Sequence, residues 1–511
     1  MNTSFATNKY NNHKFKPMSS TTRRNFLKST AVASAGLTIV PANAVTGLGH
    51  KAPSDKMNIA GIGVGGKGLA NLKGMAPENI IGLCDVDWKY SEDCFNEFPD
   101  ARKYRDWRKM FDELGDSIDG VMIATPDHTH AVIAATAMEM GKHVYCQKPL
   151  THSIYESRLL TKMAAKHKVA TQMGNQGNSG HGVRKVCEWI WNGEIGEIKE
   201  VHSWTDRPIW PQGLQPPKEK MNVPKHLNWD LFVGPASMRP YNEVYHPWNW
   251  RGWWDFGTGA FGDMGCHVLD PVFQALKLGH AEKVRGSSTK FNTASCPQAE
   301  TVEYLFPSRK NMENLEMPPV QLYWYDGGLL PMRMDLLPDG EDVLDGMGGV
   351  LFVGSKDALL CDTGGFNPRL LSGRVPQVNP SLRRIPGATG YVDGPHEQDW
   401  IRACKESPEN RVEPTSNFAF AGPFNESVLL GVLAIRLKAL NKSLEWDGEN
   451  MKFTNIAAND ELKVLELFDF IIKEGHPHFK RDYITLNARE AANEYIRHTY
   501  RQGWNLPAMP A

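Results

Sequence analysis

Met57-Asn58-Ile59-Ala60-Gly61-Ile62-Gly63-Val64-Gly65-Gly66-Lys67-Gly68 decides the fold of this chain. The first half is an apolar run of strand length, read as a buried strand. The second half is G-x-G-x-x-G, and Leu69 to Met75 behind it reads as a helix. Strand, glycine turn and helix in that order make a dinucleotide-binding fingerprint. Gly63 permits the tight turn, Gly65 lets a pyrophosphate approach the backbone, and Gly68 lets helix and strand pack closely. Gly66 and Lys67 complete the loop. Phosphates then meet free N–H groups at a helix N-terminus, where the dipole favours negative charge.

Downstream residues strengthen this reading. A second strand, Ile80 to Cys84, ends in Asp85. An acid there accepts hydrogen bonds from ribose hydroxyls and repels a 2′-phosphate, so NAD is expected rather than NADP. Gly120 to Ala124 is a third short apolar strand running into Thr125-Pro126-Asp127-His128-Thr129-His130, and Ala131 to Met140 reads as a helix. His143 to Cys146 is another strand, leading into Gln147-Lys148-Pro149. Strand ends of this kind face the ligand crevice of a doubly wound sheet. Thr125, Pro126, His128, His130, Gln147, Lys148 and, from Gly174-Asn175-Gln176-Gly177-Asn178, Gln176 are therefore candidate cofactor neighbours. His128 and His130 lack a carboxylate-rich companion motif, so no metal is expected.

Ahead of this domain stands Thr22-Arg23-Arg24-Asn25-Phe26-Leu27-Lys28, then a small-residue apolar run from Ser29 to Val40, then Ala42-Asn43-Ala44. Paired arginines, apolar run and small-x-small site together predict a twin-arginine export signal over residues 1–44. The run is about half the roughly 20 residues of a membrane span. No stable membrane anchor is expected. The twin-arginine translocase is an expected partner and the periplasm, or another exported location, the expected destination.

Composition agrees with a soluble enzyme. Among 511 residues the formal net charge is −1 and 41% are hydrophobic, which leaves no basic excess for nucleic acid. The length exceeds one ordinary core and predicts two domains, here 55–175 and 176–511. Eight cysteines are scattered without a C-x-x-C pair, so neither a zinc site nor a redox pair is signalled.

Five motifs carry a resemblance: Ile62 to Gly68, Cys84-Asp85-Val86-Asp87, Ala124 to His130, Cys146-Gln147-Lys148-Pro149, and Gly257-Thr258-Gly259-Ala260-Phe261-Gly262-Asp263-Met264-Gly265-Cys266-His267. With them the chain resembles the Gfo/Idh/MocA oxidoreductases. The resemblance implies an α/β fold: an N-terminal Rossmann domain, then an α+β domain with an open-faced, mainly antiparallel sheet and C-terminal helices that return to the first domain. It also implies a homo-oligomer. Lys148, Asp263 and His267 become the catalytic candidates, with Asp263 binding a substrate hydroxyl and His267 serving as acid–base partner. Independently, Asp263 and His267 are four apart and share one face of a helix. One departure stands out: the family usually has Glu-Lys-Pro where this chain has Gln147-Lys148-Pro149. That removes a negative charge beside Lys148.

The second domain reads as strands at Gly196 to Trp204 and Val320 to Tyr325, a hairpin over Leu351 to Leu360, and an apolar helix over Ser427 to Leu440. Between Thr205 and Trp250 eight prolines mark a long irregular segment. It runs into Tyr245-His246-Pro247-Trp248-Asn249-Trp250-Arg251-Gly252-Trp253-Trp254. Aromatic faces stack on sugar rings and Arg binds hydroxyls, so Trp248, Trp250, Arg251, Trp253 and Trp254 are substrate candidates. The competing reading is that most of these rings fill a core.

These features predict an exported NAD-dependent oxidoreductase of a carbohydrate or glycoside, with tightly bound, internally recycled cofactor. The alternatives are a glycosidase or lyase using transient oxidation, and a non-catalytic sugar-binding protein on the same scaffold.

Overall fold

The computed structural model describes residues 55–510 apart from 311–316, 333, 338–339, 341 and 344–346. The export signal expected over 1–44 lies outside the described residues. Six parallel strands form the first sheet: β1 (Asn58–Ile62), β2 (Asn79–Cys84), β3 (Arg102–Tyr104), β4 (Gly120–Ile123), β5 (His143–Cys146) and β6 (Thr171–Met173), in the order β3-β2-β1-β4-β5-β6. The order reverses between β1 and β4, and ligands of such sheets bind outside the C-terminal strand ends at that switch. The glycine loop follows β1, Asp85 follows β2, Thr125 follows β4 and Lys148 follows β5, so the sequence candidates gather on one edge. Ile59, Val121, Met122 and Val144 are fully buried, as near-continuous apolar strands covered on both faces must be.

Nine strands form the second sheet: β7 (Ile198–Trp204), β8 (Lys283–Ser288), β9 (Glu300–Phe306), β10 (Val320–Tyr325), β11 (Gly349–Gly354), β12 (Ala358–Asp362), β13 (Phe366–Leu370), β14 (Leu444–Asp447) and β15 (Lys452–Phe453). The pairs are antiparallel except β10 beside β7. The helix Phe418–Arg436 crosses one face; Tyr304 Oη donates to Ser427 O at 2.8 Å. A Cβ on Gly431 would lie 2.0 Å from the Phe261 ring, so glycine is what lets this helix approach so closely. It is long and apolar enough to cross a membrane, but most of its surface is buried in the protein. The sequence placed it at Ser427 to Leu440. It starts earlier because Asn417 caps it by accepting from Ala419 N–H at 3.0 Å, and Lys438–Leu440 form a separate 3-10 turn.

The other face of this sheet is not fully open. Trp204, Tyr325, Leu351 and Leu360 pack with Leu330, Leu337 and Val343, and Trp204 Nε1 donates to Val343 O at 2.7 Å. After β13 the chain returns to the first sheet, where the helix Pro395–Cys404 sets Trp400 edge-on to Tyr145 at 5.8 Å. A separate two-stranded ribbon, β16 (Glu461–Lys473) with β17 (His476–Asn487), turns at Glu474 and Gly475, both in the left-handed region. Its tip exposes Phe470, Ile472 and Phe479.

Candidate active site

The glycine loop has the tight backbone its sequence requires. Gly63 has φ 75°, and a Cβ there would lie 2.6 Å from Thr125 N. A Cβ on Gly68 would lie 2.0 Å from Gly63 O, and the helix begins at Lys67. At the end of β2, Asp85 turns its carboxylate toward this loop. Its Oδ2 accepts from Val64 N–H at 2.9 Å and Gly65 N–H at 3.2 Å, and Oδ1 accepts from Asp87 N–H at 2.9 Å. Burial raises the Asp85 carboxyl above its ordinary value, with these three N–H groups pulling the other way. The Tyr90 ring lies over Gly65 and Gly66, where a pyrophosphate is expected, and is 41% exposed. Loop, acid and switch point fit a dinucleotide.

Across the crevice stand His246, Pro247, Trp248, Trp250 and Arg251, facing Gly63, Gly65, Lys67, Asp85 and Thr125. This wall comes from the proline-rich segment, which is latched onto the first domain. His246 Nε2 and His226 Nδ1 each lie 2.8 Å from a different oxygen of Asp87. Trp88 N–H donates to His226 O and Asn228 N–H to Val86 O. Burial pushes Asp87 upward, but His246, the Tyr90 N–H and His226 outweigh it and hold the carboxyl well below its ordinary value.

The helix Gly259–Val268 presents Asp263 and His267 on one face, as the four-residue spacing requires, and Pro271 begins the next helix. Lys148 Nζ lies 2.8 Å from Asp263 Oδ1 and also donates to Asp263 O at 3.1 Å. Arg251 Nε reaches the same Oδ1 at 3.3 Å, its guanidinium stacked on Trp248 at 3.9 Å and Trp250 at 4.3 Å. Burial raises the Asp263 carboxyl, yet Lys148 and Arg251 more than offset this and keep it below the ordinary value. Burial and then Lys148 lower His267 to about 3, so its imidazole is neutral at physiological pH. His267 Nδ1 is buried without a hydrogen-bond partner. Behind the trio, burial and then Asp263 push Asp127 up to about 7; Thr258 Oγ1 donates to its Oδ2 at 2.9 Å. The cluster therefore offers one amine donor, one carboxylate and one neutral base, joined through Arg251 to the wall of the crevice.

Several candidates sit elsewhere. The helix expected from Ala131 begins at Asp127, which carries both histidines into its first turns. His128 Nδ1 faces Phe256 O at 3.2 Å and Nε2 faces Phe232 O at 3.0 Å, making it a strut between the domains. His130 lies between Pro149 O and Thr125 O, at 2.9 and 2.7 Å. Burial lowers each to about 4, and neither turns toward the crevice. Trp253 and Trp254 are core residues. Trp253 is fully buried with its Nε1 on Val244 O, and Trp254 packs edge-on to Phe291. Trp248 and Trp250 do line the crevice, but they embrace Arg251 on the glycine-loop side.

Gln147 is buried away from the crevice. Its Nε2 donates to Asn71 Oδ1 at 2.8 Å, while Asn71 Nδ2 donates to Glu397 Oε1 at 2.6 Å and Tyr145 Oη to the same oxygen at 3.1 Å. The carboxylate of this network is Glu397, and residue 147 must supply a donor, which a glutamate could not. Gln176 Nε2 donates to Asp393 Oδ1 at 3.2 Å, and Asp393 also pairs with Lys67. Sequence reading missed Tyr90, the Asp87 latch and the strap around Asp393. Only the Asp-Val-Asp at 85–87 hinted at any of them.

The comparisons follow the same division of the chain. Residues 56–175 match the model of the oxidoreductase family with an NAD-binding Rossmann fold, and residues 198–293 match that family's C-terminal alpha/beta domain. Levoglucosan dehydrogenase of Pseudarthrobacter phenanthrenivorans is 27% identical over 170 residues, 32% of this chain and 34% of that protein. A glycosyl hydrolase family 109 protein of Shewanella pealeana is 26% identical over 266 residues, 42% of this chain and 58% of that protein. The matched region thus spans about a third to three fifths of these relatives. The WlbA dehydrogenase of Bordetella pertussis, solved with NADH and UDP-GlcNAcA, shares the fold at 15% identity and a TM-score of 0.51, over 77% of this chain and 99% of that one. Rossmann sheet, switch-point crevice and the two family matches in order along the chain identify residues 56–175 and 198–293 as the N-terminal and C-terminal domains of the Gfo/Idh/MocA oxidoreductase family.

Proposed function

We propose that this protein is an exported NAD-dependent oxidoreductase that acts on a hydroxyl of a carbohydrate or glycoside and keeps its cofactor bound between turnovers. The observation that carries this reading is the meeting of Lys148, from the end of β5, with the helix that bears Asp263 and His267, where Asp263 also pairs with Arg251 of the crevice wall. NAD, when bound, supplies the hydride acceptor. Gly63, Gly65, Gly66, Lys67 and Gly68 hold its phosphates, Asp85 its ribose, and Thr125 and Pro126 its nicotinamide side. The carboxylate at 85 favours NAD over NADP.

The neutral His267 imidazole takes the proton of the reacting hydroxyl. Lys148 Nζ spends two donors on Asp263 and has a third for the reacting oxygen, where negative charge develops. Asp263, kept ionised by Lys148 and Arg251, orients Lys148 and accepts from a neighbouring hydroxyl. Carbohydrate is the proposed substrate class because the levoglucosan dehydrogenase and the family 109 protein are both named for sugar chemistry. The latch at Asp87, and the wall from His246 to Arg251 facing the glycine loop, support a cofactor that dissociates slowly. Retention also suits the Arg23-Arg24 signal: a protein carried folded by the twin-arginine translocase into the periplasm takes its cofactor along. The further elements of this proposal are a homo-oligomer and no membrane anchor.

A second reading has the same trio working as a glycosidase or lyase: transient oxidation, elimination, then return of the hydride. Retained cofactor favours it, since such a cycle has no net redox change. Incubating purified protein with a glycoside panel, with and without an acceptor sugar, separates the two. Oxidised product that depends on the acceptor supports the oxidoreductase. Cleavage without acceptor supports the glycosidase. Neither outcome with any sugar defeats both.

A further inference from the structure

The strap Gly387-Ala388-Thr389-Gly390-Tyr391-Val392-Asp393-Gly394 lies at the site, although neither the motifs nor the matched family models reach it. It is pinned at one end by the His181 N–H donating to Ala388 O at 3.1 Å. At the other end Gly394 N–H donates to Glu397 Oε2 at 2.8 Å. Between these pins two side chains face functional residues. The Tyr391 ring stands edge-on to the His267 imidazole, with centroids 5.6 Å apart, and backs against Phe366 at 5.0 Å. Asp393 Oδ1 is shared by Lys67 and Gln176, which leaves its second oxygen available to a ligand. Tyr391 is 39% exposed as a residue; the hydroxyl end of its ring lies over Gly177 and Gly364, and the ring meets the proposed base edge-on.

A partly exposed tyrosine beside an acid–base group, with a carboxylate oxygen two residues on, is the chemistry that holds a pyranose. The ring covers the apolar C–H face, and the carboxylate accepts from a hydroxyl. The opposite wall is poorly suited to this, because Trp248 and Trp250 already stack on Arg251. We infer that Tyr391 and Asp393 form the specificity wall of the substrate site, taking the sugar ring next to the oxidised carbon. This rests on the sugar-oxidising reading above and assigns its ring-binding residues.

The test is single-turnover reduction of the bound nicotinamide by an active glycoside in wild type, Tyr391→Ala, Tyr391→Phe and Asp393→Ala. Tyr391→Ala is expected to raise the half-saturating glycoside concentration about tenfold at an unchanged limiting rate. Tyr391→Phe, which keeps the ring, is expected to match wild type. Asp393→Ala is expected to raise half-saturation selectively for sugars that carry the hydroxyl it accepts from. Bound NAD and thermal midpoint, measured on each variant, show that folding is intact; Tyr391→Leu replaces the alanine variant if it is not. Wild-type half-saturation in the alanine or leucine variant, with the wild type active, overturns the wall alone. So does a Tyr391→Phe variant as impaired as Tyr391→Ala. A wild type that reduces no nicotinamide with any sugar overturns the proposed function, and the wall with it.

Discussion

The two walls of the crevice are held by different physics. The glycine-loop wall rests on a parallel sheet whose central strands are fully buried, and its geometry is fixed by backbone sterics at Gly63 and Gly68. The facing wall, His246 to Arg251, belongs to an irregular segment with an aromatic core of its own around Trp229, Tyr245, Trp253 and Phe256, joined to the glycine-loop side and the helix behind it by polar contacts: Asp87 with His226 and His246, His128 with Phe232 and Phe256, Arg251 with Asp263. A buried sheet opens only at close to the full cost of unfolding, whereas a segment joined to its neighbour by a few polar contacts parts from it for much less. The glycine-loop wall therefore sets which cofactor binds. On the proposed reading, the facing wall sets how long it stays.

Substitutions on the two sides should separate accordingly. The largest effect belongs to the chemistry between the walls. His267→Ala and Lys148→Ala are each expected to lower turnover by about 10²–10⁴-fold with NAD content intact. Because both act on one oxygen, the double variant should be little worse than the poorer single one. Next comes the rigid wall. Asp85→Ala should weaken NAD by about 10- to 150-fold and relax rejection of NADP, read by titrating both nucleotides into cofactor-stripped protein. Unchanged affinities would move Asp85 out of the ribose site. Smaller again is the latch. Asp87→Ala should speed NAD release about tenfold, followed by exchange against labelled cofactor, while the limiting rate of sugar oxidation stays as it was. A slower oxidation with unchanged release would assign the segment to catalysis instead.

The subtlest effect is in pH. Burial and Lys148 depress His267 from 6.5 to about 3, and the proposed proton transfer uses its neutral form. Activity should therefore persist as pH falls through 6.5 and disappear only on approaching the depressed value. An acid limb of kcat/KM centred near 6.5 would mean that His267 is solvated. Linkage has the same sign. The unfolded chain takes up this proton first, so the His267 contribution to stability is present above 6.5 and is lost progressively as pH falls toward 3.

The contrast between the walls is also a contrast in legibility. The Rossmann strands and the Asp263–His267 face follow from periodicity, glycine sterics and four-residue spacing, all local properties. The strut role of His128 and His130 depends on carbonyls of Phe232, Phe256 and Pro149, which no local pattern brings near. The aromatic run Tyr245 to Trp254 suggests sugar stacking by composition. Burial decides otherwise: Trp253 and Trp254 go inward and Trp250 backs Arg251. Gln147 is intelligible only once Glu397, 250 residues downstream, is seen to carry the charge of that network. The ribbon β16–β17 was within reach, since Leu462 and Val464 alternate inward and Glu474-Gly475 suits a two-residue turn. The latch and the strap were not, because both are pairings between distant loops.

The most direct test of the central claim, sugar oxidation by a retained nicotinamide, is to add the glycoside panel to purified protein with no free cofactor and follow the near-ultraviolet absorbance of reduced nicotinamide. An active sugar is expected to raise this absorbance to one equivalent per protein chain. His267→Ala is expected to give no such rise on the same time scale although NAD is recovered from it on denaturation. A rise that appears only after free NAD is supplied, or an equal rise in the His267→Ala protein, would contradict the claim.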